Sequence, residues 1–526
     1  MDALDAQRTI IDGLEHALGG AGHTVRRFET HISWVLVTRQ FAYKIKKALR
    51  LPYLNFSTLE FRRYYCNEEF RLNSRLAAEL YIDVVAVTGS PDRPRIGGAG
   101  IVLEYAVRMH AFEQEALWSY RVAHDLLARP EIDALGLQLA SFHAAAASAP
   151  RASAWGRPRT IAGNFGDTLI ELAALASTPT ARRQLAALCQ WEARQRARHM
   201  ADFGHRRAAG RVRECHGDLH CANVLTLDGR VQIFDCIEFN AGLRWIDVID
   251  DLAFIHMDLA RWRRPDLAAA MLSAYLESSG DYAGLAVLPY YRVYRALVRA
   301  KVALLRARQP VLPAGAGAAS ERDAAGYLGA AIQGARPGRA AVMITHGYAG
   351  SGKSTFARHV VAQLGAIQLR SDVERKRLHG MPASARQSVP GREDLYGATA
   401  SRRTYARLHT LARTVVHAGW PVIVDAAFLT SAQRASFRAL ASSLGVPFFV
   451  FDISADRSSL IERVRLREQA GLDASDANVA VLEHQFHAAE ALADSERAIV
   501  VETEHGISPA LVRDACDPVF AALDIA

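Results

Sequence analysis

Cysteine is scarce in this chain: six in 526 residues, at positions 66, 189, 215, 221, 236 and 516, with no C-x-x-C pair. That excludes the dense disulfide framework of small secreted domains and points to a reducing compartment. Long apolar runs are missing as well, since no stretch of 18 apolar residues occurs, so no membrane-spanning helix is expected. Glycine (36) and proline (18) stay well under the share at which low-complexity or collagen-like chains begin. Charge of one sign is also modest: 63 Lys and Arg against 55 Asp and Glu leave +8, which excludes a disordered polyelectrolyte. The first residues, MDALDAQRTIIDGLEHALGG, carry acids where a signal peptide needs a basic start. The expectation is a soluble, cytoplasmic protein.

What is present is a 50% hydrophobic chain long enough for several cores. A pI near 9.2 favours anionic ligands such as phosphates, nucleotides or nucleic acid. The segment Pro310 to Arg339 is rich in Ala, Gly and Pro and separates two periodic stretches. It predicts a domain junction near 334–339, with Ser320 to Gln333 as a helix closing the first part. Before the junction, a hairpin is expected over Ser33–Thr38 and Phe41–Lys46, a helix over Thr58–Leu80, and strands over Ile82–Thr88 and Gly100–Val107. Helices dominate from Glu113 to Met200 and again from Trp245 to Arg308. Between them, Asn223–Leu227 and Arg230–Phe234 flank the Asp-Gly turn of a small hairpin. After the junction, apolar runs at 341–347, 366–372, 421–426, 447–453 and 498–503 alternate with helical patterns, which predicts a parallel, doubly wound sheet. No internal repeat is apparent.

Gly347 to Ser354 fits G-x-x-x-x-G-K-[ST] between an expected strand and an expected helix. Gly347, Gly350, Ser351 and Gly352 would bring backbone N–H groups to the phosphates of a nucleotide. Lys353 would reach the outer phosphates, Ser354 would offer a hydroxyl to Mg²⁺, and Thr355 follows at the helix start. Strand two of this part ends in Asp372, with Arg375 three residues on, a carboxylate to take a hydroxyl proton and a guanidinium to hold an anion. Asp425 closes strand three at the edge where open α/β sheets bind ligands and is a metal candidate. Arg463 and Arg467, four apart on a helix over 456–470, are placed to close over a transferring phosphoryl group; a solvated charge cluster with Glu462 is the competing reading. This set resembles P-loop kinases of the group containing zeta toxins and polynucleotide 5′-hydroxyl kinases. The resemblance implies that Asp372 acts as base with Arg375 beside it, and that Met381 to Tyr405 carries the acceptor choice.

His216, Gly217, Asp218 and Asn223, followed by Asp235 at the end of the next apolar run, give H-x-D-x-x-x-x-N plus a later Asp. Asp218 would orient or deprotonate an acceptor hydroxyl, while Asn223 and Asp235 would hold Mg²⁺. A polar hairpin, or a Zn²⁺ site of Cys215, His216, His220, Cys221 and Cys236, are competing readings, the latter against the usual zinc spacing. Upstream, Lys44 ends a strand in the manner of a kinase A-x-K lysine, with Lys46 and Lys47 as rivals and Glu68 or Glu69 as its partner. Glu104 and Ala106 sit where an interlobe hinge would offer backbone groups to adenine, unless they are simply a core strand.

No G-x-G-x-x-G precedes Lys44, so protein kinases match poorly. HGDLH with its later Asp resembles the aminoglycoside phosphotransferase and choline kinase branch of the kinase-like fold, as does the helix containing Asp247 and Asp251, which are expected to be structural. Nearly the whole chain resembles a bacterial two-domain family, an aminoglycoside phosphotransferase-like domain fused to a P-loop kinase. The resemblance implies a bilobal domain over about 1–335 (small lobe to about 107) and a P-loop domain over 340–526. It also implies two Mg·ATP sites and transfer to small hydroxyl acceptors such as sugars, aminosugars or nucleosides. One active kinase beside a nucleotide sensor is the alternative within enzymes. A nucleic-acid partner fits the basic pI, but no RNP, KH, helix-turn-helix or aromatic-interleaved basic stripe supports it. Oligomeric state is not readable.

Overall fold

Alternating apolar residues in the first hundred positions make strands that share one buried face. The computed structural model describes residues 3–20, 24–51, 53–308, 315–382, 397–470 and 478–524. The chain divides into two units: Met1–Glu131 with Phe142–Trp262 and Tyr290–Gly334, and Ile132–Ser141 with Arg263–Pro289 and Ala335–Ala526. The second unit therefore takes in two short segments that precede the compositional junction. Among the described residues no helix is long and apolar enough to cross a membrane.

The chain opens with α1 (Ala3–Leu18), β1 (Arg26–Glu29), β2 (Ser33–Val37), β3 (Phe41–Lys46), a short β4 (Arg50–Leu51) and β5 (Leu54–Asn55), and α2 (Leu59–Asn73). Then come β6 (Tyr81–Ser90), β7 (Arg93–Ile96) and β8 (Val102–His110). Six strands form an antiparallel sheet in the order β1-β2-β3-β8-β6-β7. Ile10, Ile11 and Leu14 of α1 pack on Trp34, Leu36, Tyr43 and Ile45 to cover one face. α2 stops at Asn73, short of the expected Leu80, because the chain turns there to enter β6.

The helical part contains α3 (Trp118–Ala123), α4 (Arg129–Ala145), α5 (Pro158–Leu175) and α6 (Pro179–Ala208), then β9 (Val212–Glu214), β10 (Val224–Leu227) and β11 (Arg230–Ile233). It continues through α7 (Ala241–Arg244), β12 (Trp245–Asp247), α8 (Val248–Arg261), α9 (Pro265–Ser279), α10 (Leu288–Ala307) and α11 (Ala316–Gly334), with α9 counted in the second unit. Trp245–Asp247, expected to be helical, instead pairs with β9.

In the second unit the order is β13 (Val342–His346), α12 (Lys353–Leu364), β14 (Ile367–Arg370), α13 (Ser371–Leu378), α14 (Ala398–His417), β15 (Val422–Asp425) and α15 (Ser431–Leu444). It ends with β16 (Phe448–Ser454), α16 (Arg457–Ala470), α17 (Val479–Ala488), β17 (Ile499–Glu502) and α18 (Pro509–Ala522). The five strands are parallel in the order β14-β15-β13-β16-β17. Strand order reverses at β13, which opens a crevice at the carboxyl ends of the strands, where Gly347 to Ser354 begins.

Candidate active sites

In the first unit the loop at 215–220 is held from beneath by α8. Asp251 accepts hydrogen bonds from the backbone N–H of His216 (3.0 Å) and Gly217 (2.8 Å), with His143 Nε2 at 3.2 Å. Burial would raise this carboxyl, yet the bonds from His143 and the loop hold it at about 2. Arg295 of α10 pairs with Asp250 (2.7 Å) and donates to the Gly217 carbonyl (3.0 Å). The Asp-rich helix thus shapes the loop, as a structural role requires.

Burial also lowers the His216 pKa and keeps the ring neutral, so Nε2–H donates to the Phe234 carbonyl (2.8 Å) and Nδ1 accepts from the Asp218 amide (3.3 Å). Asn223 donates Nδ2–H to the Asp218 carbonyl (2.9 Å) and carboxylate (3.3 Å), and His220 Nε2 lies 3.4 Å from that carboxylate. Burial raises the Asp218 carboxyl, but His220 and, further off, Arg299 more than offset it, and the group stays well below the usual range. Val224 pairs with Ile233 across the hairpin and Phe234 N–H donates to the Asn223 carbonyl (3.0 Å). The register therefore sets Asn223 opposite Phe234, the residue before Asp235. Asp235 adopts φ 63°, a left-handed conformation that Asp tolerates better than most residues.

Lys44 and Lys46 leave β3 on the same face. Lys44 Nζ is 2.8 Å from Glu69 and also bonds Asp235, while Lys46 Nζ is 2.7 Å from Glu69 and bonds Glu238. Glu69 takes both lysines; Glu68 pairs with Arg71 at 2.9 Å. Lys47 instead bonds Glu29 (2.7 Å), away from this group. Burial opposes every charge here; mutual attraction wins at Glu69, which is lowered, and at both lysines, which are raised, while burial wins at Glu238, which is raised.

Glu104 and Ala106 take the core-strand placement that competed with the hinge expectation. Both lie inside β8, whose backbone pairs with β3 on one side and β6 on the other, and the Glu104 carboxylate is held by Arg62 (2.6 Å) and Gln7 (2.9 Å). Ala106 is paired on both sides, with Ile45 of β3 and Val85 of β6, and Glu104 on the β6 side with Val87; the chain leaves the sheet only after His110.

Oxygen donors suit Mg²⁺ here. Asn223 engages its amide N–H with Asp218, which leaves Oδ1 to a cation, and the Asp235 side chain is 41% exposed. The five-residue Zn²⁺ set is not brought together. Among the described residues the group with ligand spacing is His143, Cys215 and Asp251, where Asp251 already accepts three hydrogen bonds.

In the second unit one cavity of about 960 Å³ collects Gly350, Gly352, Lys353, Ser354, Thr355, Asp372, Arg375, Asp425, Arg463 and Arg467. Gly347 has φ 133°, and a Cβ there would stand 2.4 Å from the Ile453 carbonyl; the loop can approach β16 this closely only with glycine. Ser351 Oγ is buried without a protein partner, and the loop opens straight onto the N-terminus of α12, so the residues fit a bound phosphate chain. Lys353 Nζ donates to the Tyr348 carbonyl (2.6 Å). Burial lowers its pKa to about 8, with Asp425 and Asp372 opposing.

Arg375 pairs with Asp372 at 3.2 Å. Asp425 accepts from Gln368 (3.0 Å), with Arg370 at 3.9 Å. Arg463 lines the cavity, yet its guanidinium donates to Thr503 Oγ1 (3.1 Å) and carbonyl (2.6 Å), which ties α16 to the end of β17. Of the segment 381–405, residues 383–396 lie outside the described residues, while Ser401 and Tyr405 line the cavity.

Arg370 and Gln485 were not legible as site residues. Arg370 directly precedes Ser371 at a strand end, which is a usable signal. Gln485, whose Oε1 accepts from the Ala349 N–H at 2.8 Å, carries no local signature, because a helix placed far along the chain brings it there.

Residues 66–288 match the model of the phosphotransferase enzyme family, and residues 342–492 match that of an AAA domain. An uncharacterized protein of Mycobacterium tuberculosis is 30% identical over 456 residues, 85% of this chain and 87% of the relative; one of Mycobacterium bovis matches to the same extent. Similar solved structures include a choline/ethanolamine kinase family protein from Mesorhizobium loti (13% identity, TM-score 0.38, 62% of this chain and 99% of that one). A gluconokinase from Sinorhizobium meliloti is another (18% identity, TM-score 0.26, 36% of this chain and 94% of that one).

Proposed function

The chain belongs to one family with these mycobacterial proteins and is a kinase-type enzyme, a kinase-like phosphotransferase domain followed by a P-loop kinase domain with a parallel sheet; on that premise we propose that it is a bifunctional ATP-dependent phosphotransferase. The observation that carries this reading is that each unit gathers a buried lysine, aspartates and further side-chain oxygens from its own residues, groups suited to phosphate, proton and Mg²⁺. Domains of about 1–335 and 340–526 would carry the two activities, on small hydroxyl-bearing acceptors such as sugars, aminosugars or nucleosides.

In the first unit Lys44, fixed by Glu69, would hold the nucleotide phosphates, and Asn223 and Asp235 would hold Mg²⁺. Asp218, oriented by Asn223, accepts the acceptor's hydroxyl proton as its oxygen bonds the γ-phosphorus and the bond to the β,γ-bridging oxygen breaks, releasing ADP. In the second unit the loop amides and Lys353 cradle the phosphates, Ser354 and Asp425 hold Mg²⁺, and Asp372 accepts the proton. Arg375 and Arg467 neutralise charge on the transferring group. Mg²⁺, when bound, would supply charge neutralisation to the phosphate chain.

The test is ATP-dependent phosphate transfer to a panel of sugars, aminosugars, aminoglycosides, nucleosides and 5′-hydroxyl oligonucleotides with wild type, Asp218→Ala and Lys353→Ala. Loss of a different acceptor in each variant is expected. One activity lost equally in both would replace two kinases by one coupled site, and turnover sensitive to a single variant would leave the other unit a nucleotide sensor.

A further inference from the structure

The P-loop site has a contributor that lies outside both the loop and the AAA-matched region. α9 belongs to the second unit although residues 263–289 precede the junction. Ala269 of α9 sits in the same core as Phe356, Ala357, Val360 and Val361 of α12, the helix that the phosphate loop opens. At the other end of α9, Arg377 donates to the Glu277 carbonyl, and Gly280 ends the helix in a left-handed cap. A Cβ on Gly280 would lie 3.1 Å from the Arg377 guanidinium, so glycine makes room for that tie.

These contacts hold α9, and with it the backbone of Glu277, against the second unit's core and Arg377. Its carboxylate accepts from Arg370 at 3.0 Å. Arg370 lines the cavity and lies between two carboxylates, with Glu277 at hydrogen-bond distance and Asp425 at 3.9 Å. Asp425 is 4% exposed, and one of its oxygens already accepts from Gln368 at 3.0 Å. A guanidinium that closed from 3.9 Å to full bidentate contact would occupy the carboxylate lone pairs that a hard cation needs.

We propose that Glu277 is a positioning residue of the P-loop site, holding Arg370 back from Asp425 so that this carboxylate stays open to Mg²⁺. The inference rests on the reading of this cavity as an Mg·nucleotide site. It assigns to a residue inside the phosphotransferase-matched stretch 66–288 a role in the P-loop chemistry. Groups that orient a metal-binding carboxylate typically change metal affinity by about 10–100-fold when removed.

The experiment is an Mg²⁺ titration of fluorescent ADP binding to the full chain, reading the part of the signal that Lys353→Ala abolishes, with thermal melting alongside. In Glu277→Gln the Mg²⁺ concentration at half-saturation should rise about tenfold, with ADP affinity in EDTA and the melting temperature near wild type. Arg370→Ala, which leaves α9 untouched, should lower the half-saturation below wild type and should cancel the Glu277→Gln effect in the double variant. Unchanged Mg²⁺ dependence in both single variants overturns the proposal. So does an equal loss with and without Mg²⁺, which marks Glu277 as merely structural. Wild type without any Lys353-dependent ADP binding would instead remove the nucleotide-site reading, and this proposal with it.

Discussion

At the scale of single residues, burial and pairing decide which of several equivalent side chains act. Lys353 is the clearest case: with its ammonium lowered to about 8 by burial, it is charged below that pH and neutral above it. ADP affinity at the P-loop should therefore fall as pH rises through about 8, and Lys353→Ala should bind weakly with no such slope. Over the window from about 8 to 10.5 the native state holds fewer protons than the unfolded chain, so stability should rise while affinity falls. A melting series and a binding series with the same sign would refute this assignment. Asp251 offers a second test, since Asp251→Ala leaves the buried N–H groups of His216 and Gly217 without their acceptor. We expect a loss of about 3 kcal/mol on unfolding, together with the Asp218-dependent activity. Its lowered carboxyl pKa contributes stability above the unfolded value and loses it as pH falls toward about 2. The closeness of Asp218 and Asn223 was legible because they lie five residues apart just before one short hairpin, which Asp235 follows. Lys44 and Lys46 were not separable by a period of two, and the structure gives Glu69 to both and Asp235 to Lys44.

At the scale of elements, the five parallel strands follow the apolar runs closely, because strands buried on both faces are nearly unbroken in hydrophobicity. The Asp228-Gly229 turn, with φ 48° and 74°, closes the hairpin that sets Asn223 opposite Phe234, next to Asp235 in the chain. Gly347→Ala should reduce Lys353-dependent ADP binding at least tenfold, since the new methyl meets the Ile453 carbonyl at 2.4 Å; unaltered binding would show that β16 yields there. Glu104 and Ala106 were open to a hinge or a core-strand reading, and they lie within β8. A short apolar run with one charge reads alike as a hinge or a central strand, and only strands arriving on both sides settle it.

At the scale of the molecule, composition marks a junction, but the P-loop unit also draws in α9 and residues 132–141. Ala269→Asp should lower the melting transition of that unit by about 2–4 kcal/mol, because it buries an unpaired carboxylate against α12. A variant that melts like wild type would show that this packing is not required. Sequence alone determined two phosphate-chemistry motifs and two fold classes, since glycine loops, Asp spacing and apolar period are local in the chain. Tertiary structure alone decided that Arg463 is bound to Thr503, that Glu69 serves two lysines, and that Glu277 reaches Arg370 across 93 positions. Such partners are set by packing between distant segments, and no local pattern of residues encodes that.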